Sequence, residues 1–177
     1  KDPKALIEDR HQKIRHYLSE SPKLSVEEVR DGVRKVLLSF VDFERVSEMA
    51  FKKHFKKLTE DQRKSYVQAF RGLVQATYLK RLEPGKKFEM EFRGEPDVVK
   101  DKARAKTTIK SGDHEVDVDY LLYLGEDSTY RAYDLVIDEV SMARNYRKEF
   151  YKLYKDKGLD GLLKRIENRT KEKEAGK

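Results

Sequence analysis

Hydrophobic residues along this chain change period near its middle. Up to Tyr78 they recur every three or four positions, from Phe88 to Ile137 they alternate, and beyond Ser141 the longer spacing returns. Those two periods are the signatures of a helix face and of a half-buried strand. Lys4–Glu20 therefore predicts a weakly amphipathic helix with Ile7, Ile14 and Leu18 on one side, broken by Ser21-Pro22. Ser25 followed by Glu28 has the spacing of a capping box, opening a helix whose Val26, Val29, Val33, Val36 and Phe40 form one stripe. Asp42 is placed to cap a short helix carrying Phe43, Val46 and Met49, with a further short helix through His54. Thr59 and Gln62 form a second capping box before the strongest helical pattern. There Tyr66, Phe70, Leu73 and Thr77 share a face with Val67, Val74 and Tyr78 beside them, and Pro84-Gly85 ends the region.

Phe88, Met90 and Phe92 alternate with charged residues as in a half-buried strand, and Gly94–Lys102 reads as a charged connection. Arg104–Lys110 and Glu115–Leu124 predict a hairpin around Ser111-Gly112-Asp113-His114. The register that places Lys110 opposite Glu115 also places Lys106 opposite Asp119 on one face. On the other face it matches Ile109 with Val116, Thr107 with Val118, and Ala105 with Tyr120. Gly125–Thr129 leads into a fourth strand in which Tyr133, Leu135 and Ile137 alternate. Ser141 stands where an N-cap belongs, and Met142, Tyr146, Phe150 and Leu153 follow at helical spacing. Two helices, Ser141–Asp156 and Leu159–Lys171, are expected about Gly158, whose position suits a left-handed terminator; 171–177 reads as a frayed basic tail. With no internal repeat and no long linker, the expectation is one α+β domain over 1–177. Its curved four-stranded antiparallel sheet has several helices packed around it.

Composition narrows the function. The 177 residues suffice for a real core, and although 41% are charged, the apolar ones are periodic rather than scattered. The absence of cysteine excludes disulfides, thiol catalysis and Cys-based zinc sites. No apolar run approaches the ~18 residues of a membrane span. The opening Lys1-Asp2-Pro3, with no initiator Met, reads as a processed chain whose leader is not included. A net charge of +7 fits either a solvated surface or attraction to an anionic membrane or acidic partner. Lys52, Lys53, Lys56 and Lys57 are the densest basic cluster and the candidate docking residues. Nucleic acid is not expected, because basic residues are interspersed with acidic ones and no recognition motif accompanies them.

Catalysis is not expected either. Asp134 on an apolar strand has the makings of a buried base, but a structural carboxylate near the strand–helix junction is the simpler reading. Among the four histidines, His11 and His16 lie five apart on one helix and so face differently, and His114 lies in a turn; His54 completes the set. No Ser-His-Asp, HExxH or phosphate-cradling motif is legible, and the row Glu115, Asp117, Asp119 reads as a salt-bridge ladder rather than a metal site. What remains is the interface of sheet and helices. Ala103, Ala105 and Thr107 are small, and opposite them the helices offer Met142, Tyr146, Phe70 and Tyr78. Small residues on one wall leave a concavity, unless Tyr120 and Phe92 fill it.

Several segments carry a resemblance. Tyr133-Asp134, Val140-Ser141 and Asn145-Tyr146-Arg147 with Phe150 resemble the MlaC, or toluene-tolerance, family of periplasmic phospholipid-binding proteins. So do Val41-Asp42-Phe43, Leu58-Thr59-Glu60-Asp61-Gln62-Arg63, Ala69-Phe70-Arg71 with Leu73 and Tyr78, and Gly158-Leu159-Asp160-Gly161-Leu162. Together they span roughly residues 24–169 in the expected order. Glu139 departs from the family's usual Gly and Tyr130 from its common Trp. The Leu-Gly and Trp often seen before the Thr-x-x-Gln motif are replaced around Ala50–Phe55. The resemblance implies a soluble, monomeric periplasmic carrier, without covalent catalysis or cofactor, that holds phospholipid as cargo. It would shuttle lipid between an outer-membrane lipoprotein complex and an inner-membrane transporter complex, maintaining outer-membrane lipid asymmetry. Alternatives are an interaction module of such a complex and a carrier of another apolar ligand such as a hopanoid. The implied pocket places acyl chains between helices and sheet, against Val67, Phe70, Val74, Tyr78, Met142 and Tyr146. On the sheet it takes Phe88, Met90, Ala105, Thr107, Val118, Tyr120, Leu122, Tyr133, Leu135 and Val140.

Overall fold

A computed structural model describes residues 2–19, 23–81 and 84–176; Ser21-Pro22, read as a helix breaker, lies outside them. The elements in order are α1 (Pro3–Ser19), α2 (Val26–Leu38), α3 (Phe43–Phe51), a 3-10 helix (Lys52–Lys57), α4 (Glu60–Tyr78) and a short 3-10 turn (Leu79–Arg81). Then come β1 (Phe88–Phe92), β2 (Asp97–Val99), β3 (Lys102–Ser111), β4 (His114–Leu124), β5 (Tyr130–Ile137), β6 (Val140–Ser141) and α5 (Met142–Glu174). The chain is α+β, as its periodicity predicts.

Both capping boxes form. Glu28 N–H donates to the Ser25 hydroxyl at 3.1 Å while Ser25 N–H donates to the Glu28 carboxylate at 2.7 Å. Thr59 and Gln62 repeat the exchange at 3.2 and 2.9 Å. Each box satisfies two of the amides that a helix start leaves without partners. Val26, expected in the α2 stripe, is 48% exposed, while Val29, Val33 and Val36 are buried. Its place in the first turn takes it off the end of the apolar face.

The described residues form two compact units, Lys1–Asp42 with Leu82–Ser141, and Phe43–Arg81 with Met142–Lys177. The first holds an antiparallel sheet of six strands, where four were expected. Its order is β1-β3-β4-β5-β6, with β2 beside β3. The additional strands are three and two residues long, too short for alternation to reveal. β2 falls inside the charged connection and pairs Asp97 to Arg104 and Val99 to Lys102. β6 contains Ser141, whose hydroxyl donates to the Asp134 carboxylate.

The β3–β4 register matches Lys110 with Glu115, Lys106 with Asp119, Thr107 with Val118 and Ala105 with Tyr120, as alternation predicts. The charge partners differ from the cross-strand neighbours. Asp119, whose side chain is 7% exposed, accepts from Arg93 and Arg104, both at 2.5 Å, while Lys106 reaches Asp97 at 2.8 Å. An Arg fork serves a buried carboxylate better than a flexible ammonium does. β5 carries a bulge, since Leu121 pairs with Asp134 but Leu122 with Ala132, leaving Tyr133 as the extra residue.

In the second unit, Tyr66, Phe70, Tyr146 and Phe150 form a ring cluster with centroids 5.1–6.2 Å apart. The Tyr66 hydroxyl donates to the Ser47 carbonyl at 2.8 Å, so its burial leaves no polar group unmet. Gly158 divides α5 with φ 68° and ψ −171°, a region open essentially to glycine alone. The helix continues through Glu174, so residues 171–174, read as a tail, are helical.

Candidate functional site: an apolar sheet face and its cleft

One face of the sheet is apolar because β3 and β4 alternate in phase and the β5 bulge keeps Tyr130 and Ala132 on the same side. Ala103, Ala105, Val118, Tyr120, Leu122, Tyr130 and Ala132 form a buried cluster, closed by Ile7 of α1 and by Phe40. Thr107 belongs to the same face at 0% exposure. Its hydroxyl donates to the Val118 carbonyl at 2.7 Å, and so it sits among apolar neighbours without cost. Met90, Phe92, Ile109, Val116 and Leu135 pack against this cluster half-buried. Within this unit, then, Ile7, Phe40 and Tyr120 close over the small residues of β3.

Open space is found in a cleft of about 210 Å³, walled by Glu8, His11, Gln12 and Arg15 of α1 and by Phe88, Met90 and Phe92 of β1. The three β1 side chains reach it because they alternate toward α1 while Glu89 and Glu91 face away. Helix α1 contributes residues four and three apart, one helical stripe. His11, 5% exposed, is the buried member of that stripe. Its ring stacks on Phe88 at 5.6 Å and meets Tyr120 edge-on at 5.7 Å. Its Nε2 lies 2.7 Å from the Tyr120 hydroxyl. Burial alone lowers the imidazole pKa to about 4 and raises that of the Tyr120 phenol. His11 Nδ1 is buried with no hydrogen-bond partner.

The sequence pointed to the sheet face but passed over His11. The signal was present, since Ile7, His11, Ile14 and Leu18 follow helical spacing and place this histidine on the apolar stripe. Of the other sheet residues, Phe88, Val118, Tyr120 and Leu122 are buried on the apolar face, and Met90 and Leu135 flank it. Tyr133 falls on the opposite face, its ring 6.3 Å from that of Tyr123 and under the Lys102 ammonium. The bulge moves it there by breaking the alternation. Val140 is 52% exposed. In the second unit Phe70, Val74, Met142 and Tyr146 are buried, with Val67 and Tyr78 half-buried. Asp134, the alternative catalytic base, is buried and accepts from Leu135 N–H at 2.8 Å and from Ser141, as a structural carboxylate does. Among the described residues no three metal-ligating side chains gather.

The four lysines of the 3-10 helix are all exposed, and no carboxylate lies within ion-pairing distance of them among the described residues. Lys53 lies over the Tyr151 ring at 5.5 Å.

A family model described as MlaC protein matches residues 9–168. A solved phospholipid-binding protein from Ralstonia solanacearum, in complex with a phospholipid, superposes with a TM-score of 0.87. The alignment covers 98% of this chain and 99% of that one at 17% identity, which establishes a shared fold. No curated protein matches.

Proposed function

The chain belongs to the MlaC family, and from that premise we propose that it is a non-catalytic carrier of phospholipid, holding acyl chains against the apolar face of its sheet. The observation that carries this reading is the cleft beside that face, with an apolar wall of Phe88, Met90 and Phe92 and a polar rim of Glu8, Gln12 and Arg15. Burying a methylene is worth about 0.8 kcal/mol, so lipid leaves a bilayer only for a site that matches most of that gain. Polar headgroups are costly to bury without partners, and a polar rim lets them stay in water. The phospholipid named for the Ralstonia protein, which shares this fold, supports the same ligand class.

We further propose that the carrier works in the periplasm as a monomer, exchanging lipid with an inner-membrane transporter and an outer-membrane lipoprotein complex. Lys52, Lys53, Lys56 and Lys57 are the proposed docking residues, because they are exposed and no carboxylate among the described residues pairs with them, which favours an anionic surface as partner. Incubating lipid-stripped protein with vesicles of fluorescent phospholipid tests the reading. Recovery of lipid in the soluble protein fraction after the vesicles are sedimented is expected; lipid found only with the vesicles refutes it.

A further inference from the structure

We infer that His11 is a recognition residue of the cleft, donating a hydrogen bond from Nδ1 to the ester carbonyl oxygen at the head of one acyl chain. The inference rests on the carrier reading and adds to it a polar contact with the chain itself. His11 lines the cleft and is 5% exposed. Nδ1 is buried without a partner, whereas Nε2 faces the Tyr120 hydroxyl at 2.7 Å. Buried polar atoms are nearly always satisfied, and an unmet one on a residue that lines a cleft asks what satisfies it.

The tautomer follows from the partners. A neutral imidazole carries one N–H, and a phenol hydroxyl has one hydrogen to give. If Nε2 held the hydrogen, both the Tyr120 hydrogen and the Nδ1 lone pair would be left unmet. If Tyr120 donates into Nε2, only the Nδ1 hydrogen is left. The second arrangement leaves fewer groups unmet, so Nδ1 presents a donor and the complementary ligand atom is an acceptor oxygen.

The surroundings define the molecule carrying that oxygen. Phe88, Met90 and Phe92 form an apolar wall, which a hydrocarbon chain satisfies and a polar metabolite does not. The volume of about 210 Å³ lies below the ~300 Å³ at which pockets for whole drug-sized ligands begin, so it suits the head of a single chain. Two acyl groups offer a carbonyl-type oxygen there, the ester of a glycerolipid and the carboxylate of a free fatty acid. A neutral imidazole at this depth favours the ester, because a buried carboxylate needs a countercharge. Arg15 stands at the rim, but Glu8 shares it and offsets its charge. The rim is then left to the polar headgroup.

Three probes of equal chain length separate the sources: a 1-acyl lysophosphatidylglycerol, its 1-O-alkyl ether analogue without the carbonyl, and the free fatty acid. One neutral hydrogen bond predicts that the ester binds about two- to tenfold more tightly than the ether. The ester, and not the ether, should also shift the His11 Nδ1 resonance in ¹⁵N spectra of the unmodified protein. His11→Gln, which keeps a polar group toward Tyr120 and deletes the Nδ1 donor, should bind ester and ether equally. Equal binding of ester and ether by the unmodified protein, with no Nδ1 shift, overturns the inference while leaving the carrier reading intact. Tightest binding by the fatty acid overturns the ester assignment, and failure of all three to bind removes the carrier reading as well.

Discussion

His11 Nε2 lies 2.7 Å from the hydroxyl of Tyr120, joining α1 to β4 through two buried side chains. The pair couples the helix that walls the cleft to the strand that floors the core. Burial holds the His11 pKa at about 4 against an ordinary 6.5, so the folded protein resists a proton that the unfolded chain accepts. Stability from the neutral imidazole is therefore fully present above pH 6.5 and is lost as pH falls toward 4, by about 3 kcal/mol in all. Glu8 and Arg15 share its cleft, and Tyr120 does not ionise in that range. Urea denaturation at pH 7 and at pH 4.5 checks this. His11→Gln should lose less stability between the two pH values than the unmodified protein; equal losses would show that His11 is not the titrating group.

Tyr120→Phe should leave Nε2 buried and unmet at nearly unchanged packing. The expected cost is about 1–3 kcal/mol at pH 7, read from denaturant midpoints.

Bulk added at two positions on the sheet face should act differently. Ala105 is 0% exposed in the close-packed cluster, so Ala105→Trp should overpack it and cost about 1–3 kcal/mol. Met90 is half-buried and lines the cleft, so Met90→Trp should reduce lipid content at little cost in melting temperature. A Met90→Trp protein with unchanged lipid per folded molecule would move the ligand away from this cleft.

Gly158→Ala isolates a backbone effect. No atom lies within 4 Å of an added Cβ, so the whole penalty, about 1–3 kcal/mol, would come from the φ of 68°. Thermal melts of the two proteins measure it.

Reversing Lys53 and Lys56 to Glu should weaken binding to anionic vesicles by about 2 kcal/mol or more, at roughly 1 kcal/mol per lysine near the surface. Added salt should weaken the unmodified protein in the same direction. Binding unaffected by either change would remove these lysines from docking.

Much of the fold was legible because each element announces itself locally. The capping boxes at Ser25 and Thr59 needed only residues three apart, and the β3–β4 register followed from alternation about one turn. The losses were of two kinds. β2 and β6 are too short to show a period, and the bulge at Tyr133 inverts an alternation that the sequence displays without interruption. The site was half legible. The apolar face could be read from Ala105, Thr107 and Tyr120, but its small residues proved to be covered within their unit by Ile7 and Phe40, which come from distant segments. His11 was legible only by its spacing with Ile7 and Ile14; that it lines a cleft depends on Phe88, Met90 and Phe92, which come from a distant segment.

The most direct measurement is the lipid content of the purified protein, extracted with organic solvent and quantified by mass spectrometry against protein concentration. About one phospholipid per folded molecule is predicted. A folded protein that yields none, and takes up none when offered phospholipid vesicles, would contradict the carrier account and favour an interaction module in its place.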